Sequence, residues 1–193
     1  MDLKDCKIYL VTDEKACNGK DFYDCVERAI KGGVKIVQLR EKNSSTKDFY
    51  EKALKVKEIC KNYGVLFIIN DRLDIAQIVK ADGVHLGQFD MPIEKAREIL
   101  KDKFLIGATA RNVEEAKRAE LLGADYIGSG AIFGTNTKDN AKKLEMEELK
   151  KIVASVKIPV FAIGGINIDN VSSLKNIGLQ GICACLLYTS PSP

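Results

Sequence analysis

The 193-residue chain has a single histidine, and its six cysteines (Cys6, Cys17, Cys25, Cys60, Cys183 and Cys185) include no CxxC pair. With so few ligands at metal-like spacing, zinc and disulfide frameworks are weak readings, and the thiols are expected to be buried or half-buried. A basic block is also missing. Thirty Lys and Arg face 27 Asp and Glu, and the net charge of +3 comes from mixed helix faces, so nucleic-acid binding is not indicated. No stretch is long and apolar enough to span a membrane, and the N-terminus lacks a signal-peptide core, which makes the cytoplasm the expected compartment. No GxGxxG turn follows the first strand-like run, and this disfavours an open dinucleotide-binding sheet.

What the chain does contain is alternation. At 46% hydrophobic and 30% charged residues it has the composition of an ordinary globular protein, large enough to bury a sizeable core. Short apolar runs at 7–12, 36–40, 65–70, 83–86, 105–108, 126–129, 160–163 and 181–184 read as strands. Helical periods lie between them at 21–31, 46–62, 73–79, 93–100, 113–122, 145–155 and 168–176. In the second helix Phe49, Ala53, Val56, Ile59 and Cys60 share one face, the 3.6-residue signature. A weak repeat, seen in Ala81-Asp82-Gly83-Val84 and Ala124-Asp125-Tyr126-Ile127, leads from helix ends into strands. The pattern predicts an α/β fold, a TIM (β/α)8 barrel lacking its final helix. It forms one domain over residues 1–185, with 186–193 a tail outside it; a doubly wound sheet is the alternative.

Two carboxylates stand out. Asp71 follows the third strand run and Asp90 follows the fourth, nineteen positions on. In a parallel sheet the carboxyl ends of neighbouring strands open into one crevice. Two carboxylates there repel unless a cation lies between them, and hard oxygen ligands suit Mg²⁺ together with substrate phosphates. The competing reading is that both aspartates merely cap the helices that follow.

Other residues fall on the same rim. The second strand ends Gln38-Leu39-Arg40-Glu41-Lys42; Gln38, Arg40 and Lys42 could bind a pyrophosphate and a polar ring, or form a solvated charged edge. Asn70 precedes Asp71, and Thr109 closes the fifth strand. His85, beside the aspartates, could act in acid–base chemistry, but a packed, hydrogen-bonded barrel residue is the favoured reading. The sixth strand enters a polar loop, Gly134-Thr135-Asn136-Thr137-Lys138, that suits an anion or serves as a plain connector. Gly164-Gly165 after the seventh strand lies at the habitual phosphate position of barrels. The layout gives two anion sites, as for two phosphorylated substrates meeting over one metal.

At these segments the chain resembles the thiamine-phosphate synthases. The match runs through Val37 to Lys42, Ile69 to Arg72, Gly83 to Gln88 with Asp90, Ile106-Gly107 with Thr109, Gly128 to Phe133 with Thr135, Thr137 and Lys138, and Ala162 to Asn167. It covers the chain from about residue 8 to residue 182. The resemblance implies a barrel transferase that joins hydroxymethylpyrimidine pyrophosphate to hydroxyethylthiazole phosphate, giving thiamine phosphate and pyrophosphate. It implies that Gln38, Leu39, Arg40, Glu41, Lys42, Asn70, Thr109 and Lys138 bind the pyrimidine pyrophosphate. Arg40 and Lys138 would stabilise the leaving group, and Asp71 and Asp90 would hold Mg²⁺. Thr135, Asn136, Thr137 and Gly165 would bind the thiazole phosphate. It further implies a pyrimidine carbocation trapped by the thiazole nitrogen. The partners are small phosphorylated molecules, not nucleic acid or membrane, with room for a homo-oligomer. A thiazole tautomerase and an inactive ligand-binding barrel fragment are the alternatives.

The pattern departs at the eighth strand. Cys185 and Leu186 stand where an apolar residue and a phosphate-binding Ser belong, and the Pro-containing tail offers no amphipathic period. The expectation is a truncation or frame change that leaves the barrel face beside the first strand uncovered and the thiazole-phosphate site half built.

Overall fold

The computed structural model of the chain describes residues 3–134 and 143–185, the last without its side chain. Eight strands and six helices alternate. They are β1 (Ile8–Val11), α1 (Phe22–Lys31), β2 (Ile36–Leu39), α2 (Thr46–Asn62), β3 (Leu66–Asn70), α3 (Leu73–Val79), β4 (Gly83–Leu86), α4 (Ile93–Leu100), β5 (Leu105–Thr109), α5 (Val113–Leu121), β6 (Tyr126–Gly130), α6 (Met146–Ser155), β7 (Val160–Ile163) and β8 (Gly181–Cys185). All neighbouring strands are parallel and the sheet closes on itself in chain order, as the alternation predicts. Closure comes from β1 and β8, with Ile8 opposite Ile182 and Val11 opposite Cys185.

The seventh expected helix, over 168–176, is not an α-helix. The segment forms only a four-residue 3-10 turn, Val171–Leu174. Asn167 and Asn170 explain this. The Asn167 side chain accepts from the Asp169 and Asn170 amides, and the Asn170 carboxamide accepts from the Asn167 amide. Such local bonds compete with helix propagation, and Asn176 then turns the chain at φ 63°.

Strand alternation sorts the apolar residues into two layers. Leu39, Phe67, Ile69, Val84 and Ile106 face the helices. Tyr9, Ile36, Ile68, Tyr126 and Phe161 fill the barrel interior, where three rings pack edge to face with centroids 5.6–5.9 Å apart. Cys6, Cys17, Cys25, Cys60 and Cys183 are buried and outside any disulfide, as expected, and burial pushes Cys17 and Cys60 up to about 12. The outward residues Ile8, Ile182 and Ala184 of β1 and β8 are only half-buried, whereas Val37, Ile69 and Val84 are fully covered.

The Ala-Asp repeat has a structural cause. Asp82 accepts the Phe67 amide at 2.7 Å and Asp125 accepts the Ile106 amide at 2.6 Å. Each aspartate clamps the start of the preceding strand at the amino-terminal face, which leaves the carboxyl-end rim for chemistry.

Glycine at 107 follows from the same packing. A Cβ there would run into the Tyr126 ring and lie 2.6 Å from His85 Nδ1. Gly107→Ala is therefore expected to destabilise the barrel by about 1–3 kcal/mol or more through overpacking, read as a lower urea midpoint.

Candidate active site

Among the described residues the buried polar side chains are Thr12, Gln38, Asn70 and Ser129, and they stand at or just past the carboxyl ends of their strands. Buried polar groups need partners. Thr12 Oγ1 accepts the Arg40 amide at 3.1 Å, which fixes the start of the β2 loop. Ser129 donates to the Ala110 carbonyl at 2.8 Å, tying β6 to the end of β5. Gln38 Nε2 donates to the Tyr9 hydroxyl at 2.6 Å. The Asn70 carboxamide makes no hydrogen bond among the described residues, and no buried side-chain polar atom is left wholly enclosed without a partner. It therefore opens onto the rim.

The two aspartates meet there. Asp71 sits at φ 61°, in the left-handed region that non-glycine residues seldom occupy and that clusters at functional sites. Its amide donates to the His85 carbonyl at 2.9 Å, carrying the β3–β4 ladder one residue past the strand. Asp90 closes a turn by accepting the Gly87 amide at 2.7 Å. Their carboxylates are near enough for each to shift the titration of the other. Neither caps a helix: the N-cap positions of α3 and α4 are Arg72 and Pro92, and neither helix has a side-chain cap. The capping alternative therefore fails. Burial and then the Asp71 charge push the Asp90 carboxyl above its usual range. Burial also works to raise Asp71, but Lys42, ion-paired to it, holds its carboxyl low.

The β2 loop divides its labour. Leu39 is fully buried against the helices, so only its main chain is left to face a ligand. Glu41 accepts from Lys52 at 2.8 Å and from Ser44 at 2.6 Å, so its side chain braces the loop on α2. The Arg40 guanidinium has no partner among the described residues and is half-exposed. Thr109 Oγ1 is 3.0 Å from His85 Nε2, and His85 Nδ1 is 3.3 Å from the Tyr126 hydroxyl. His85 is thus a packed, hydrogen-bonded barrel residue.

On the far side of the rim Gly164 and Gly165 take φ 101° and 65°. A Cβ on Gly165 would strike the Phe133 carbonyl, and the Phe133 amide donates to the Gly164 carbonyl at 3.0 Å. Glycine is required here by the close approach of the β6 and β7 loops. Cys185 pairs in the β8 ladder with Val11. Thr135, Asn136, Thr137, Lys138 and Leu186 lie outside the described residues.

Sequence reasoning missed Thr12, Tyr9 and Tyr126. The signal was available for the tyrosines, since alternation puts both on the interior face with a polar tip.

A family model described as thiamine monophosphate synthase matches residues 8–186. The chain belongs to the thiamine monophosphate synthase family. It is 87% identical over 184 residues to the thiamine-phosphate synthase of Fusobacterium nucleatum subsp. nucleatum, covering 95% of this chain and 89% of that relative. It is 54% identical to that of Clostridium acetobutylicum over 92% of this chain and 84% of the relative. The solved thiamine phosphate pyrophosphorylase of Pyrococcus furiosus superposes with a TM-score of 0.87 at 42% identity, over 95% of this chain and 88% of that one. The activity of this family is thiamine-phosphate synthesis, a transferase reaction of thiamine biosynthesis. No helix among the described residues is long and apolar enough to cross a membrane.

Lys52 links Glu14 at 2.7 Å and Glu41 at 2.8 Å. Burial lowers its ammonium, and the two carboxylates outweigh that and raise it. Lys52→Met is expected to cost about 1–3 kcal/mol by stranding the Glu41 carboxylate. A raised cationic group stabilises most below its ordinary value of about 10.4 and loses that contribution as pH climbs through the raised value. The stability gap between wild type and variant, measured by urea unfolding, should therefore be full near neutrality and shrink only at strongly alkaline pH.

Proposed function

We propose that this transferase joins hydroxymethylpyrimidine pyrophosphate to hydroxyethylthiazole phosphate with Mg²⁺ held by Asp71 and Asp90. The observation that carries the assignment is the meeting of the two carboxylates at the rim, beside Lys42, with neither capping a helix. The donor set fits the ion. A hard cation that keeps its waters and takes substrate phosphates needs only one or two carboxylates. Burial and mutual repulsion raise Asp90, a cost that a divalent cation would relieve. When bound, Mg²⁺ would supply charge stabilisation to the departing pyrophosphate.

The residues of the chain divide the remaining work. Arg40, unpaired among the described residues, and Lys138 would stabilise the leaving group, where negative charge grows on its oxygens. Asn70, with its carboxamide open, Gln38 and Thr109 hold the pyrimidine. The main chain at Leu39 lines the same edge, and Glu41 keeps the loop in place. Gly165, with Thr135, Asn136, Thr137, Cys185 and Leu186, takes the thiazole phosphate. No nucleophile–base pair is needed, because departure of the leaving group ahead of attack by the thiazole nitrogen calls for positioning more than for a base. A tautomerase would have no pyrophosphate for Lys42, Arg40 and the aspartates to hold.

Asp71→Asn is the informative variant, since Asn tolerates the left-handed backbone at this position while removing the charge. It should fold normally by circular dichroism and lose Mg²⁺-dependent pyrophosphate release by about 100-fold or more, the scale of removing a key electrostatic group. Turnover near the wild-type rate, or wild-type turnover indifferent to chelation of Mg²⁺, would sink the metal assignment.

A further inference from the structure

A continuous hydrogen-bond chain crosses the barrel interior. It runs from Gln38 Nε2 to the Tyr9 hydroxyl (2.6 Å), to the Tyr126 hydroxyl (2.7 Å), to His85 Nδ1 (3.3 Å), and from His85 Nε2 to Thr109 Oγ1 (3.0 Å). Its ends are two of the groups assigned above to the pyrimidine. Its middle is buried: Tyr9 and Tyr126 are at most 1% exposed. Gly107 and Gly128 make room for it, since a Cβ on either would crowd His85.

One self-consistent set of donors runs the length of the chain. An amide N–H only donates, so the Tyr9 oxygen accepts from Gln38, and its own proton is then left to go to Tyr126. Tyr126 in turn donates to His85 Nδ1. A neutral imidazole has one donor and one acceptor nitrogen; with Nδ1 accepting, the proton is on Nε2 and goes to Thr109. The Thr109 hydroxyl, having accepted, keeps its own proton for a partner outside the chain. At the other end Gln38 retains its amide oxygen as an acceptor. Burial raises both phenols far beyond the working range, so the tyrosines stay protonated and each keeps an O–H to donate.

We propose that Tyr9, Tyr126 and His85 are positioning residues, whose directional hydrogen-bond chain presents an acceptor at Gln38 and a donor at Thr109 to the pyrimidine ring. An aminopyrimidine offers the complement, a donating exocyclic amine and an accepting ring nitrogen. The chain thereby selects for the amine and against a ring with an oxygen in its place. This inference rests on the assignment of Gln38 and Thr109 to the pyrimidine.

The chain has one histidine, so its imidazole ¹⁵N signals are unambiguous. At about pH 8.5, above the ordinary imidazole range, the resting protein should show His85 protonated on Nε2. Tyr126→Phe keeps the ring packing and removes the link. It should shift His85 toward the Nδ1-protonated form or a mixture and raise KM for the pyrimidine pyrophosphate about 3- to 10-fold, the worth of one hydrogen bond. kcat and KM for the thiazole phosphate should hold within about twofold, a spread too small for a lost contact. Tyr9→Phe, which cuts the chain at the Gln38 end, should raise the same KM, and covers the case in which Tyr126→Phe fails to fold. Ile68→Val, in the same interior cluster, should lower stability without moving tautomer or KM. An Nδ1-protonated histidine in the wild type, a tautomer that ignores Tyr126→Phe, or an unchanged pyrimidine KM in a folded variant each overturns the proposal. Absence of pyrophosphate release from the wild type would instead overturn the functional assignment, since the tautomer is read without substrate.

Discussion

The β1–β8 ladder is the contact on which the remaining geometry depends. Four residues of each strand pair, from Ile8 with Ile182 to Val11 with Cys185, and they convert a curved sheet into a closed ring. Once closed, a parallel barrel must point every strand's carboxyl end at the same rim. Residues as distant in sequence as Gln38, Asp90, Thr109 and Gly165 are then neighbours around one opening. The ladder also sets the interior, because the layer of Tyr9, Tyr126 and Phe161 exists only when β1, β6 and β7 face one another across a common axis.

The strands and six of the helices were legible because each signal is local. Thr46–Asn62 carries its apolar stripe openly, and the Ser45 cap, accepting the Asp48 amide at 3.1 Å, marks its start. The segment at 168–176 misled because its apolar spacing competes with two asparagines that bond their own backbone, a contest that periodicity does not register. The aspartate pair was legible as a spacing, but whether Asp71 and Asp90 capped helices or faced each other could not be read without knowing the turn at φ 61°. The roles of Glu41 and Leu39 were hidden for another reason. Both lie in a segment that reads as one binding strip, and only the position of Lys52 on α2 and the helix-facing side of β2 show that one braces and the other packs.

Charge around the rim is distributed with a purpose. Lys42 neutralises Asp71, Lys52 neutralises Glu41, and Arg40 is left unpaired among the described residues. Lys42 and Lys52 are thus spent on local carboxylates, while Arg40 stays available to a diffusing anion. This contrasts with the amino-terminal face, where Asp82 and Asp125 each accept a backbone amide that holds a strand in register, and Asp125 also pairs with Arg97.

The left-handed turn at Asp71 has a consequence for what this position can become. Its carboxylate is aimed by the main chain as much as by side-chain rotation, because the residue leaves the strand ladder at the point where its amide still bonds His85. A longer acid would carry the same charge but from a backbone that disfavours it and with an extra methylene that overshoots Asp90. The chemistry at this corner of the barrel is therefore bound to the shape of the peptide chain, and substitution there is narrowed to the few residue types that accept the turn.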